Sequence, residues 1–358
     1  MAKLDHRFMG MALSLGRRGL GRVWPNPNVG CVIVKNGRVI GRGWTADGGR
    51  PHAEALSLNG VDATGATVYV TLEPCAHHGK TPPCADALIA AGVSRVVIAI
   101  GDPDPRVAGK GIAKLRAAGV EVATGVRDAE ANADLAGFLL RITQRRPFVT
   151  LKLASSFDGR IATSSGESKW ITGPLARRAV HSMRANHDAV LVGAGTVRAD
   201  DPTLTARDIG VTRQPVRIVA SESLDFDATA LLAGLSDAPL WLCHGPKVDA
   251  ASWEARGAMT IACGISNGRV DPVDTMMKLA DAGLTRIFCE GGGTLAASLL
   301  HAGLVDEVVG FTAGLMIGSD GTASVGAMGL DKLGDAPKFT LSETRQIGPD
   351  LLHRWARA

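Results

Sequence analysis

The chain is poor in aromatic residues: Phe, Trp and Tyr make up 4% of its 358 residues, with one Tyr. No Lys/Arg run is interleaved with aromatics, which argues against a nucleic-acid surface. No stretch of 18 apolar residues occurs, so no transmembrane helix is expected. The start, MAKLDHRFMGMALSLGRRGLGR, lacks the pattern of a signal peptide. Asp5 and His6 precede a short apolar stretch, and no small-residue cleavage site follows. The expected location is the cytoplasm. Cysteines are few, six in all, so a disulfide framework is not expected there. Internal repeats and low-complexity segments are absent. So is the Gly-x-Gly-x-x-Gly fingerprint; GAGTVR, Gly193 to Arg198, has its first two glycines alone.

Hydrophobic residues make up 46% of the chain, and the length suits two domains. Net charge is +4 but uneven. Before Pro147 stand 19 basic and 12 acidic residues, a net of +7; the remaining 20 and 23 leave −3. A mildly basic first half suits an anionic small substrate. Strand and helix signals alternate, as in an α/β fold. VGCVIVKNGRVIGRGW reads as two strands joined by an Asn36-Gly37 hairpin turn. HAEALSL reads as a helix, ATVYVTLEP as a buried strand and CADALIAAG as a helix closed by Gly92. A long helix stops at Arg145-Arg146-Pro147, which places the domain boundary there, giving 1–146 and 147–358. The second half opens with the strand FVTLKLASS and includes TRIFCEGGG, a strand feeding a glycine-rich turn.

His52, Glu54, Cys75 and Cys84 form the first chemical constellation. A catalytic zinc takes three protein ligands and keeps one open position for water. One imidazole and two thiolates supply the three. Glu54, two residues from His52 on the same helical turn, reaches that water without being a ligand. His-x-Glu followed by Pro-Cys and a second Cys is the pattern of zinc-dependent base deaminases, with Glu as the proton shuttle. One departure stands out: eight residues, not two, separate the cysteines. Two readings compete. Cys75 and Cys84 could form a disulfide, or His77 or His78 could complete a closed structural zinc site. The last would make the protein a zinc-stabilised nucleotide-binding sensor. In the second half, Glu290-Gly291-Gly292-Gly293-Thr294 lies between a strand and a helix, where glycines let a phosphate approach the backbone. A tight turn without a ligand is the competing reading.

PNPNVG, HAE and EPCAHHGKTPPC together resemble the deaminase domain of the bifunctional riboflavin-biosynthesis deaminase/reductase family, in which the long cysteine spacing is the rule. LKLASSFDGRIAT, SKWITG, VLVGAGTVRADDPTLTAR and EGGGTL resemble its reductase domain, in the expected order. The resemblance implies two three-layer α/β domains, one similar to cytidine deaminase and one to dihydrofolate reductase. It implies hydrolytic deamination of 2,5-diamino-6-ribosylamino-4(3H)-pyrimidinone 5′-phosphate. NADPH-dependent reduction of the ribose to ribityl would follow, giving 5-amino-6-ribitylaminouracil 5′-phosphate. It also implies one zinc per chain and a homodimer or higher oligomer. A cytidine- or tRNA-type zinc deaminase with a nucleotide-binding regulatory domain is the alternative.

By that resemblance His52, Cys75 and Cys84 bind zinc and Glu54 is the general acid/base. Asn26 meets the pyrimidine, and His77 and Lys80 line the pocket. Ala154, Trp170, Thr196 and Asp200 contact NADPH, as do Gly292, Gly293, Thr294, Leu295, Ala296, Ala297 and Ser298. Ser168, Arg184, Leu204, Arg207 and Glu290 contact the ribosylamino substrate. A guanidinium such as that of Arg184 or Arg207 can hold a 5′-phosphate bidentately. Lys152 and Asp200 are polar groups near the reacting ribose carbon. The sequence departs from the family at Thr45, where His is frequent, and at Ser221-Glu222, where Asp-Ser is.

Overall fold

A computed structural model describes residues 2–77 and 82–358. The chain divides into two compact units, Met1–Arg145 and Arg146–Ala358.

The first unit runs α1 (Ala2–Gly16), β1 (Gly30–Lys35), β2 (Arg38–Trp44), α2 (Ala53–Leu58), β3 (Thr67–Leu72), α3 (Cys84–Ala90), β4 (Arg95–Ile100), α4 (Lys110–Ala117), β5 (Glu121–Thr124) and α5 (Asp128–Gln144). Its five strands order β2-β1-β3-β4-β5, antiparallel at the β2-β1-β3 end and parallel from β3 to β5. Asn36 and Gly37 both take positive φ, 52° and 74°, as a two-residue hairpin turn requires. Alternate strand residues enter opposite cores, because side chains alternate across a strand. Cys31, Ile33, Val68, Val70, Val96 and Ile98 pack with Ala85, Leu88 and Leu115 of α3 and α4. Val32, Val34, Tyr69, Val97 and Ala99 pack with Phe8, Met9, Ala12 and Leu13 of α1. The sheet is therefore a central layer with helices on both faces. Burial of each such Val, Leu, Ile, Met or Phe side chain stabilises the fold by about 1.5–3 kcal/mol. The long helix α5 stops where Arg145 turns left-handed, at φ 53°, just before Arg146-Pro147.

The second unit runs β6 (Phe148–Ser156), β7 (Arg160–Ala162), α6 (Pro174–Ala185), β8 (Ala189–Gly193), α7 (Ala194–Asp200), β9 (Val216–Ala220), α8 (Thr229–Ala233), β10 (Leu240–His244), α9 (Ala251–Glu254) and β11 (Met259–Ala262). It continues through β12 (Ile265–Ser266), β13 (Arg269–Val270), α10 (Pro272–Asp281), β14 (Arg286–Cys289), α11 (Gly293–His301), β15 (Glu307–Ala313), β16 (Thr322–Ala323), β17 (Phe339–Ile347) and β18 (Asp350–Arg357). The main sheet orders β11-β10-β9-β8-β14-β6-β15-β18-β17. It is parallel from β11 to β15; β18 and β17 add antiparallel strands at the far edge. One face packs Val190, Val192, Val219, Leu240 and Leu242 against Leu231 and Trp253; the other packs Phe288, Val309, Phe311 and Leu352 against α6. Arg146 grips Asp306 through two bonds of 2.7 Å, fastening the start of β6 beside β15. Among the described residues, no helix is long and apolar enough to cross a membrane.

Candidate active sites

In the first unit, two helix starts and the segment after one strand carry the metal-ligating chemistry. His52 immediately precedes α2, Cys84 is the first residue of α3, and Cys75 follows Pro74 beyond the end of β3. His52 Nδ1 lies 3.3 Å from Cys84 Sγ and 3.7 Å from Cys75 Sγ. The ligand atoms all fall within 4.8 Å of one another, and this is the single such His/Cys/Asp/Glu group among the described residues. Tetrahedral zinc with bonds of about 2.0–2.3 Å needs ligand atoms roughly 3.3–3.8 Å apart, so the donor set fits. His77 is not part of the group, and both cysteines are free thiols. The structure thus supports neither the disulfide nor a closed site completed by His77. The backbone N–H of Cys84 donates to Cys75 Sγ at 3.3 Å, a bond that favours thiolate. The hydrogen bond shared with Cys84 pulls the Cys75 thiol well down, and the same bond and burial push Cys84 up.

Glu54, in the first turn of α2, is 4% exposed. Burial raises its carboxyl above the usual range, partly countered by the charge of His52. Its carboxylate interacts with His52 and Cys84 of the ligand set. Asn26 is half-buried in the loop before β1 and packs flat on Gly49. Gly49 has φ 86°, and a Cβ there would stand 2.0 Å from Asn26 Nδ2, so glycine is required. Thr45, with 2% exposure, donates to the Pro27 carbonyl at 2.9 Å and accepts from Val29 N at 3.1 Å. Its hydroxyl therefore fixes the loop that carries Asn26. His77 is half-buried, and its Nδ1 is buried with no hydrogen-bond partner among the described residues. Its charge helps hold Asp104 below the usual carboxylate range, after the larger effect of Arg106. Lys80 and His78 lie outside the described residues.

Pattern reading missed three acids here. Glu73, Asp102 and Asp104 lie beside the cysteine loop, and burial pushes Asp102 up to about 6. The one signal for Glu73 was a carboxylate closing an apolar strand directly before Pro-Cys.

The second unit gathers its polar residues beside the middle of β6 and the carboxyl end of β14. Glu290 directly follows β14, with its side chain 9% exposed. Its Oε1 accepts from Arg184 Nε and its Oε2 from a second Arg184 nitrogen at 3.0 Å, while Lys152 Nζ of β6 stands 3.9 Å away. These cations hold Glu290 below the usual range against its burial. Burial in turn pulls the Lys152 ammonium below its ordinary value, with Glu290 and Asp200 pushing back. The Arg184 fork, expected to be open for phosphate, is thus engaged by Glu290, and a further nitrogen donates to the Thr205 carbonyl at 2.8 Å. Arg207 is exposed and held by Thr203 Oγ1, and its backbone N–H donates to His181 Nδ1 at 3.2 Å.

The glycine-rich turn is braced by its neighbours. Thr196 Oγ1 accepts from Gly292 N at 3.0 Å, and a Cβ on Gly293 would stand 2.8 Å from the Ala323 carbonyl oxygen. The third glycine therefore serves a close approach of two chain segments. Thr294 is exposed at the start of α11, Leu295 is half-buried, and Ala296 is fully buried. Ala297 and Ser298 border a cavity of about 310 Å³ shared with Arg269, His301 and Met328. Trp170 is 69% exposed, with the Arg177 guanidinium 4.4 Å above its ring. Ser168 and Ala154 are half-buried. Leu204 is in the core, at φ 56°. Asp200 closes α7.

Comparison with known proteins agrees with this geometry. Residues 2–100 match the cytidine and deoxycytidylate deaminase zinc-binding region, and residues 147–353 match the RibD C-terminal domain. The riboflavin biosynthesis protein RibD of Escherichia coli is 44% identical, over 97% of this chain and 98% of its own length. That of Aquifex aeolicus is 38% identical, over 98% of each. The solved structure of Acinetobacter baumannii RibD superposes with a TM-score of 0.90 at 37% identity, covering all of both chains. A deaminase/reductase of Thermotoga maritima superposes at 0.87 with 35% identity, covering 100% of this chain and 99% of its own. Matched along nearly its whole length and in both halves, the chain belongs to the RibD family of riboflavin biosynthesis, enzymes that join a zinc-dependent deaminase to a reductase.

Proposed function

We infer that the chain catalyses two consecutive steps on one phosphorylated pyrimidine. The first removes the 2-amino group of 2,5-diamino-6-ribosylamino-4(3H)-pyrimidinone 5′-phosphate as ammonia. The second reduces the ribose of the deaminated product to ribityl with NADPH. The observation that carries the reading is the His52, Cys75 and Cys84 trio with buried Glu54 beside it, in one chain with a RibD C-terminal domain. That C-terminal match disfavours a cytidine- or tRNA-type deaminase with a regulatory domain.

His52, Cys75 and Cys84 hold zinc, which supplies Lewis-acid activation of water. Glu54 receives the proton from the attacking water and returns it to the departing amino group. A carboxyl raised by burial suits both tasks. Asn26 offers a donor and an acceptor to the pyrimidine edge, and His77 and Lys80 line the same pocket. In the second unit NADPH supplies the hydride. Ala154, Trp170, Thr196, Asp200 and the turn 292–298 hold the cofactor. Ser168, Leu204, Arg207 and the Arg184–Glu290 pair orient the ribosylamino chain. Lys152, with its ammonium pulled down by burial, delivers the proton that accompanies hydride. The protein works as a cytoplasmic homo-oligomer, a reading supported by the resemblance alone.

The test is an assay of the phosphorylated diaminopyrimidine with and without NADPH, reading both products. The expected result is ammonia and the deaminated ribosylamino compound without NADPH, and the ribityl compound with it. Release of ammonia without any NADPH-dependent product overturns the second half of the reading.

A further inference from the structure

We propose that Glu73 is a positioning residue for the metal site, acting through Cys75. It stands two residues before that ligand, yet its carboxylate points away, into the opening turn of α4. Oε1 accepts from Gly111 N at 3.0 Å and Ile112 N at 3.2 Å; Oε2 accepts from Gly109 N at 3.0 Å and Asp102 N at 3.3 Å. Glu73 is 4% exposed. A buried carboxylate is tolerated when its lone pairs are filled, and here four backbone N–H groups fill them. Such bonds fix backbone against backbone.

A second, independent observation lies on the same contact. A Cβ on Gly111 would stand 2.0 Å from the Pro74 carbonyl oxygen. The Glu73-Pro74 backbone therefore rests directly on α4, with no room for a side chain between them. On its other side Cys75 is held by α3: its carbonyl accepts from Ala85 N at 3.1 Å and its sulfur from Cys84 N. Cys75 is thus clamped between one helix that carries a ligand and one that carries none. The task of α4 at this site is to set the position of the Cys75 sulfur, and Glu73 is its grip.

The inference rests on the zinc reading above, so wild-type zinc content is measured first. Full-length, zinc-loaded wild type, Glu73→Gln, Glu73→Ala and Gly111→Ala are compared for zinc release to a chromogenic chelator, well below their unfolding temperatures. The cobalt-substituted proteins are compared by thiolate-to-cobalt absorption. Groups that orient metal ligands typically change metal affinity about 10–100-fold. Zinc release is expected to accelerate by that order in Glu73→Ala and Gly111→Ala. Glu73→Gln, which keeps one acceptor oxygen, should be intermediate, and the cobalt spectrum should shift in all three. Lower thermal stability with unchanged zinc release and superimposable spectra overturns the inference. If Glu73→Ala does not fold, Gly111→Ala and Glu73→Gln decide alone. A wild type that binds no zinc would overturn the zinc reading instead.

Discussion

Glu290 is the residue whose removal the structure constrains most tightly. Glu290→Gln keeps the shape of the side chain but leaves Arg184, at 3.0 Å, and Lys152, at 3.9 Å, as two neighbouring cations whose side chains are 12% and 17% exposed. Removing one partner of a buried ion cluster costs about 3–5 kcal/mol. In a unit of this size that lowers the melting temperature by roughly 6–20 °C. Lys152 offers one escape, loss of its proton. Burial already holds it below its ordinary value, and Glu290 is the largest opposing influence. Without Glu290 the folded-state value falls further below the unfolded one. Between those two values the unfolded chain binds more protons, so stability rises with pH there. The deficit of Glu290→Gln should therefore be greatest at pH 7 and shrink towards pH 10. Adding Lys152→Met should recover part of it. Urea unfolding of the full chain at several pH values, with ribityl product and ammonia assayed separately, reads these outcomes. Reduction should fall while deamination is retained. A deficit that is constant with pH and unrelieved by Lys152→Met would refute the reasoning.

Three further outcomes are expected. Glu54→Gln should slow ammonia release by about 10²–10⁴-fold, with zinc content unchanged by metal analysis. Stripping zinc with a chelator should abolish deamination yet leave reduction of supplied deaminated intermediate intact; loss of both would contradict independent chemistry in the two units. His187 is buried, bonded to Met183 O at 2.7 Å and Thr150 Oγ1 at 3.0 Å, and burial pushes it down to about 3 from 6.5. Its folded value is the lower, so its contribution is complete above pH 6.5 and is lost as pH falls, by about 2 kcal/mol at pH 5. His187→Gln should flatten that loss in urea titrations, and an equal loss in both proteins would count against it.

Local signals carried much of this architecture. Asn36-Gly37 makes its hairpin, Gly92 ends α3 at φ 68°, and Arg145-Arg146-Pro147 ends α5. Each is a decision made within a few residues, where propensity and backbone sterics dominate. The deaminase constellation was legible for the same reason, since His52 and Glu54 share one turn and Cys75 and Cys84 bracket one loop. What the pattern did not reveal are contacts between distant segments. Glu73 reads as a strand-ending acid until its partners at Asp102, Gly109, Gly111 and Ile112 are seen. Nothing local to Arg184 shows that Glu290, 106 residues away, lies on its fork. By sequence, the glycines of the 291–293 turn offer space for a phosphate. One of them is space for residues 323–326, a strand edge no local rule could supply.

The eight residues between Cys75 and Cys84 have a consequence for evolvability. Both ends of that loop are tied outside it, by Ala85 N to the Cys75 carbonyl and Cys84 N to the Cys75 sulfur. Each doubling of a flexible loop adds only about 0.6 kcal/mol of closure entropy. Lengthening a two-residue connection to eight therefore adds roughly 1.2 kcal/mol. The ligand cage can thus tolerate insertions between its own cysteines, and the length of that segment is left free to vary without dismantling the metal site.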